Sequence, residues 1–217
     1  MAGILVFVEQ RNGEIRKASL QALSEAHRLA GGNVAAVVAG SGIGGAASGL
    51  GAFGAGKVFV ADDPNLALYS AEGYTEAVAK AVEGFAPDTV LFAGTAMGRD
   101  LAPRVAARLG VGALADVVAL EADGDQLVAR RPVYSGKAFA TVDAGGAKPQ
   151  VISLRPNVFA AEEFGGEAEV VALDGLALSI RAVVKELVDT GGGELDVAEA
   201  DIIVSGGRGL KGPENFE

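Results

Sequence analysis

Two kinds of apolar pattern alternate along this chain, and that alternation limits its fold more than any other feature. Short β-branched runs at 4–8, 33–38, 57–60 and 89–93 are separated by stretches of helical spacing near 19–30, 43–53, 74–85 and 100–109. In the third helical stretch Tyr74, Val78, Ala81, Val82 and Phe85 fall on one face, the stripe of a helix packed on a sheet. In the fourth, Leu101, Val105 and Leu109 line up ahead of Gly110, a left-handed stop. A helix between two strands returns the chain to the end where it started, so the strands run parallel. Repetition of that unit predicts an α/β fold: a largely parallel, Rossmann-like sheet with helices on both faces.

Beyond residue 110 the helical spacing stops. Strands are expected at 116–121, 126–131, 137–142 and 150–154, with Asp123-Gly124-Asp125 as a hairpin turn and a break over residues 145–149. Further β segments are expected at 170–173 and 180–187, and this whole group reads as antiparallel additions to the β-α core. Thr190-Gly191-Gly192-Gly193 marks a linker. The expected organisation is a domain over residues 1–190, a linker over 191–200, and the start of a second α/β domain over 201–217.

Composition removes several kinds of chemistry. Half of the 217 residues are hydrophobic and 21% are charged, which requires a folded core. The absence of cysteine excludes disulfides, thiolate nucleophiles and cysteine-held metals. A formal net charge of −10 opposes nonspecific nucleic-acid binding and suits a basic partner surface. No run approaches the ~18–20 apolar residues of a membrane span, so no membrane insertion is expected. The first nine residues have no basic leader and read as a buried strand rather than a signal peptide. A cytoplasmic chain is expected if the source is bacterial, and a mitochondrial-matrix chain if it is eukaryotic.

Four local motifs carry candidate chemistry. Gly40-Ser41-Gly42-Ile43-Gly44-Gly45 fits the spacing G-x-G-x-x-G and Asp62 follows after a strand, the arrangement of a dinucleotide turn with its ribose-binding acid. That reading gives an NAD(P)-dependent oxidoreductase using Gly40, Gly42, Gly45 and Asp62; the default is a close-packed strand-to-helix turn. Residues 94–100, Gly-Thr-Ala-Met-Gly-Arg-Asp, sit at the carboxyl end of a predicted strand, where Arg99 could hold an anion or Asp100 could simply cap a helix. His27, the single histidine, reads as a solvated helix residue, and without a second histidine or a cysteine a hydrolytic triad cannot be built. Arg130, Arg131, Tyr134 and Lys137 gather at a strand connection, either a solvated turn or a contact for a phosphate or an acidic neighbour. A non-catalytic interaction module, motivated by the acidic surface and small-residue faces, stands beside these readings.

The last seventeen residues read as the opening of another unit. Ile202-Ile203-Val204 has the character of a short buried strand and runs into Ser205-Gly206-Gly207-Arg208-Gly209, a turn that can bring backbone N–H groups and a guanidinium to an anion. Leu210 to Phe216 resembles a helix entry, and the remainder of that unit is expected to lie beyond Glu217.

This turn, with Leu210-Lys211 and Glu214-Asn215-Phe216 after it, resembles the start of the FAD domain in the alpha subunits of the electron transfer flavoprotein family. The resemblance extends upstream in order through residues 94–104, residues 131–138 and Ile152-Ser153-Leu154-Arg155-Pro156. It implies an N-terminal α/β domain that pairs with a beta subunit, and a C-terminal domain that holds FAD. It implies an electron carrier rather than an acid–base catalyst, taking electrons from acyl-CoA dehydrogenase-type donors to a membrane quinone oxidoreductase. Arg208 is the FAD contact that carries over, with Gly207 and Gly209 letting the backbone approach; the family's other flavin motifs are absent. FAD is therefore expected in the intact heterodimer and not in the 217-residue chain alone.

Overall fold

Ile4, Leu5, Val6 and Phe7 are buried on both faces of a sheet, which is why the chain opens with an unbroken apolar run instead of an alternating one. The computed structural model describes residues 3–188, 200 and 202–215, in two units, Met1–Val184 and Lys185–Glu217.

In the first unit β1 (Ile4–Phe7) is followed by a small hairpin of β2 (Gln10–Arg11) and β3 (Glu14–Ile15), then α1 (Lys17–Ala30) and β4 (Val34–Gly40). Next come α2 (Gly44–Ala47), running straight into a 3-10 turn over Ser48–Phe53, then β5 (Lys57–Asp62), α3 (Ala71–Phe85), β6 (Thr89–Ala93) and α4 (Ala96–Leu109). The remaining strands are β7 (Ala113–Val117), β8 (Ala119–Asp123), β9 (Gln126–Val133), β10 (Ala138–Val142), β11 (Gln150–Leu154) and β12 (Glu169–Ala172).

Seven strands form one sheet in the order β12-β5-β4-β1-β6-β11-β7, and every neighbouring pair is parallel. The chain steps outward from β1 through β4 to β5, then returns past β1 to β6. That reversal puts the switch point between β1 and β6, at whose carboxyl ends such sheets bind ligands. One face packs Ile4, Val6, Val38 and Leu91 against Leu23 and Ala26 of α1; the other packs Leu5, Phe7 and Phe92 against Tyr74 and Val78 of α3 and Leu101 and Val105 of α4. Burying each such Leu, Val or Phe contributes about 1.5–3 kcal/mol, so the central strands carry most of the stability.

Helix ends follow their capping residues. Ser70 accepts from the Gly73 N–H to start α3, Thr95 accepts from the Gly98 N–H to start α4, and α4 stops at Gly110 with φ 72°. Asp100 is therefore not the cap: α4 begins four residues before it, at Ala96.

Several expectations are corrected. The strand expected at 150–154 is parallel and internal to the main sheet, and the 116–121 segment is split between it and a second, three-stranded antiparallel sheet in the order β10-β9-β8. The 43–53 helix is only a short helical turn followed by 3-10 turns. Residues 180–187 form no strand; Arg181 is tied by backbone and side chain to Glu72 of α3, at 2.8–3.0 Å, and no neighbouring strand offers a ladder. Ile202, Ile203 and Val204 are 85%, 58% and 81% exposed and not in a strand, because nothing among the described residues covers them. The proposed linker at 191–200 lies, apart from residue 200, outside the described residues.

Candidate functional site

At the switch point the crevice is crossed by the chain's own side chains. Thr95, just after β6, donates its hydroxyl to Glu9, just after β1, at 2.5 Å, while the Glu9 N–H donates to the Ser19 hydroxyl at 2.8 Å. Gly98 brings the first turn of α4 against the end of β6: a Cβ there would overlap the Ala93 carbonyl oxygen and lie 3.0 Å from its carbon. A carboxylate thus stands where an α/β sheet places a phosphate, and repels one.

The Gly40–Gly45 turn is filled in the same way. Asp62, at the end of β5, accepts from the N–H groups of Gly42 at 2.7 Å and Ile43 at 3.2 Å. Gly42 adopts φ 68°, and the helix that follows has only four residues. The acid that the fingerprint reserves for a ribose instead satisfies the turn's own donors, so the geometry favours the close-packed turn.

Three arginines from separate motifs converge at the β7 end of the sheet. Between Leu114 and Val117 β7 slips register against β11, and within that bulge Asp116 takes φ 64°. Its carboxylate faces Arg155, just past β11, which donates to it from Nε at 2.8 Å and from one Nη at 2.6 Å. That hydrogen bonding holds Asp116 below the ordinary carboxyl range, with the charges of Arg155, Arg99 and Arg131 acting in the same direction. Arg131 keeps its Nε buried without an acceptor among the described residues. On the α3–α4 side, Tyr69 donates to Asp100 at 2.6 Å and Arg104 to the same carboxylate at 3.1 Å. Asp100 is lowered chiefly by the Tyr69 hydrogen bond, and the Tyr69 hydroxyl is pushed well above its usual range, mainly by burial.

His27 is packed rather than solvated. Its ring stacks on Phe164 at 4.2 Å, and its Nδ1 lies 3.3 Å from the Gly54 carbonyl. Gly54 itself, at φ 96°, leaves no space for a Cβ, which would sit 2.5 Å from the histidine ring.

Arg208, Gly207 and Gly209 lie together in the second unit on an exposed 3-10 turn, Arg208–Leu210. Leu210 and Lys211 donate to the carbonyls of Gly207 and Arg208 at 3.0 and 3.3 Å, which closes the turn and leaves its first amides without partners inside it. Arg208 makes no ion pair among the described residues, and Lys211 stands beside it. Gly206, Gly207, Arg208, Leu210 and Lys211 border an open hollow of about 370 Å³. Two cations and free backbone donors suit an anion such as a pyrophosphate. Among the described residues no His/Asp/Glu group could hold a metal, and no helix is long and apolar enough to cross a membrane.

Sequence reading located the Arg208 turn and missed the Glu9–Thr95, Asp116–Arg155 and Tyr69–Asp100 pairs. Their partners are 86, 39 and 31 residues apart, so no local spacing signals them.

The family model described as "Electron transfer flavoprotein domain" matches residues 4–177. The chain is 39% identical over 219 residues to "Electron transfer flavoprotein subunit alpha" of Syntrophomonas wolfei, covering 100% of this chain and 68% of that protein. It is 36% identical to the protein of the same name from Bacillus subtilis, covering 99% of this chain and 66% of that one. It is 34% identical to "Lactate dehydrogenase (NAD(+),ferredoxin) subunit LctC" of Acetobacterium woodii, covering 96% of this chain and 52% of the relative. The chain spans about two thirds of the length of the two alpha subunits.

Proposed function

The chain belongs to the electron transfer flavoprotein family, of the alpha-subunit type, and from that premise we propose that it serves as one half of a two-subunit electron carrier that holds FAD. The observation that supports the cofactor assignment is the Gly206–Lys211 turn, where a guanidinium with no ion pair among the described residues, a lysine and backbone amides meet at one hollow. Arg208 would grip a pyrophosphate through charge-assisted hydrogen bonds, while Gly207 and Gly209, lacking side chains, let the backbone approach it. Bound FAD supplies reversible electron uptake, and the protein tunes its potential through nearby hydrogen bonds and charge. Glu9, Asp62 and Asp116 take no proton-transfer step in this reading: their carboxylates are committed to Thr95, to the Gly42 turn and to Arg155.

The donors we propose are acyl-CoA dehydrogenase-type enzymes and the acceptor a membrane quinone oxidoreductase. The likeness to a lactate dehydrogenase subunit favours a second reading of the donor, a hydroxyacid dehydrogenase of that kind. A heterodimer of the full-length subunit with its beta partner tests the cofactor site. Arg208→Ala is expected to weaken FAD binding about 10–100-fold, the worth of a charge-assisted hydrogen-bond pair, read as the flavin-to-protein absorbance ratio after gel filtration. The 217-residue chain alone is expected to elute colourless, because the exposed turn cannot bury an isoalloxazine ring. Undiminished flavin in the Arg208→Ala heterodimer would refute the assignment.

A further inference from the structure

Asn12-Gly13 is the one asparagine–glycine step in the chain; Asn33, Asn65, Asn157 and Asn215 precede Val, Leu, Val and Phe. A side chain on the following residue hinders attack by its backbone nitrogen on the asparagine amide, and glycine offers no side chain. The pair forms the whole connection between β2 and β3, since Arg11 is already paired with Glu14. Asn12 and Gly13 take φ 54° and 83°, the type I′ turn that a two-residue hairpin favours, and both are exposed. Water and base therefore reach the side-chain amide that its sequence makes most labile.

Two features of the hairpin hold that reactivity back. The left-handed conformation, with ψ near about +47°, turns the Gly13 nitrogen away from the Asn12 Cβ and so from the side-chain carbonyl carbon it must attack. The Gly13 N–H also donates to the Gln10 Oε1 at 2.9 Å, and the nitrogen must lose that proton before it can react. Gln10 is itself anchored. Its Nε2 donates to the Ala39 carbonyl at 3.3 Å and sits so close to Gly40 that a Cβ there would come within 2.7 Å of it. One side chain thus ties the hairpin loop to the end of β4 in the main sheet.

We propose that Asn12 is a site of spontaneous deamidation whose rate is set by Gln10, which holds the Gly13 N–H and the left-handed turn closed until the hairpin opens. On opening, the Gly13 nitrogen gives its proton to base and bonds to the Asn12 side-chain carbonyl carbon. The bond from that carbon to the side-chain nitrogen breaks, and the nitrogen takes a proton from water and leaves as ammonia. Water then adds across one C–N bond of the cyclic imide to give aspartate, or across the other to give isoaspartate; nothing is oxidised or reduced. Isoaspartate carries the main chain through the side-chain methylene, which lengthens the loop by one backbone atom and disturbs the pairing of Arg11 with Glu14.

The 217-residue chain itself provides the test, incubated in mildly alkaline buffer. Peptide mapping by mass spectrometry reads the amide-to-acid conversion at Asn12, and enzymatic methylation reads isoaspartate. The folded chain is expected to deamidate at least about tenfold more slowly than the chain in urea, because attack waits on local opening. Gln10→Ala is expected to raise both deamidation and hydrogen exchange at the Gly13 amide about fivefold, the worth of one neutral hydrogen bond. Gln10→Glu keeps an acceptor for the Gly13 N–H and is expected to stay within about twofold of the unmodified chain. Exchange at Gly13 that rises in Gln10→Ala with no rise in deamidation would overturn the role of Gln10. A folded chain that deamidates as fast as the unfolded one, or no conversion at Asn12 in urea, would overturn the proposal whether or not the variants fold.

Discussion

Two glycine-to-alanine substitutions in neighbouring helices are expected to change stability in opposite directions. In a helix interior this change is ordinarily worth about 1 kcal/mol in favour of alanine. At Gly84 in α3 the new Cβ would sit 3.6 and 3.8 Å from atoms of the Phe59 ring, an ordinary contact, so the whole gain should appear. At Gly98 in α4 it would overlap the Ala93 carbonyl oxygen, and 3.4 Å away stands the Thr95 hydroxyl that caps the helix. β6 cannot retreat, since it is paired to β1 and β11 on its two sides. The helix must lift instead, which costs about 1–3 kcal/mol of overpacking and about 1 kcal/mol for a weakened cap. After the propensity gain, Gly98→Ala should lose about 2 kcal/mol while Gly84→Ala gains about 1 kcal/mol. Urea unfolding followed by circular dichroism at 222 nm reads this directly, because the four α-helices among the described residues lie in the first unit. In heat, each kcal/mol corresponds to about 2–4 °C for a domain of this size. A Gly98→Ala chain as stable as the unmodified one would refute the claim that α4 is seated by direct backbone contact.

Tyr69→Phe should destabilise by about 1 kcal/mol at neutral pH, a hydrogen bond to a charged group discounted because the Asp100 side chain is 43% exposed. Asp100 has a lowered folded pKa, so this stabilisation is complete above its unfolded pKa of about 4 and fades as pH falls through the folded value. The gap between the two chains should therefore close in acid, and a gap independent of pH would contradict the assignment. Asp62→Ala should cost about 1 kcal/mol, as for a lost helix cap, and millimolar NAD should leave the unmodified chain's melting temperature in place because the turn's donors are already taken. A clear upward shift with NAD would reinstate the dinucleotide reading.

The parts of this fold legible in the sequence are those whose burial is uniform. β1, β4, β5 and β6 are covered on both faces, so each is a continuous apolar run; α3 packs along one side and shows its stripe. What failed was decided by distant partners or by single backbone angles. α4 starts at Ala96 because Thr95 caps it, yet Gly98 beside that cap looks locally like a helix breaker. The split between β7 and β8 follows from the bulge at Asp116, set by register against β11. Ile202-Ile203-Val204 is apolar enough for a strand and has no described neighbour to pair with. His27 looked solvated because its packing partners, Phe164 and Gly54, arrive from elsewhere in the chain. The Gly207–Gly209 turn was legible because its glycines and arginine are contiguous; the arginine convergence at Asp116 was not, because Arg99 comes from α4, Arg131 from β9 and Arg155 from just past β11.

Glu9 and Asp62 fill, from within the chain, positions at the carboxyl edge of the sheet. Donors that related sheets reserve for nucleotides are answered here from within, so starving a cell of flavin or adenine nucleotides should leave this unit standing.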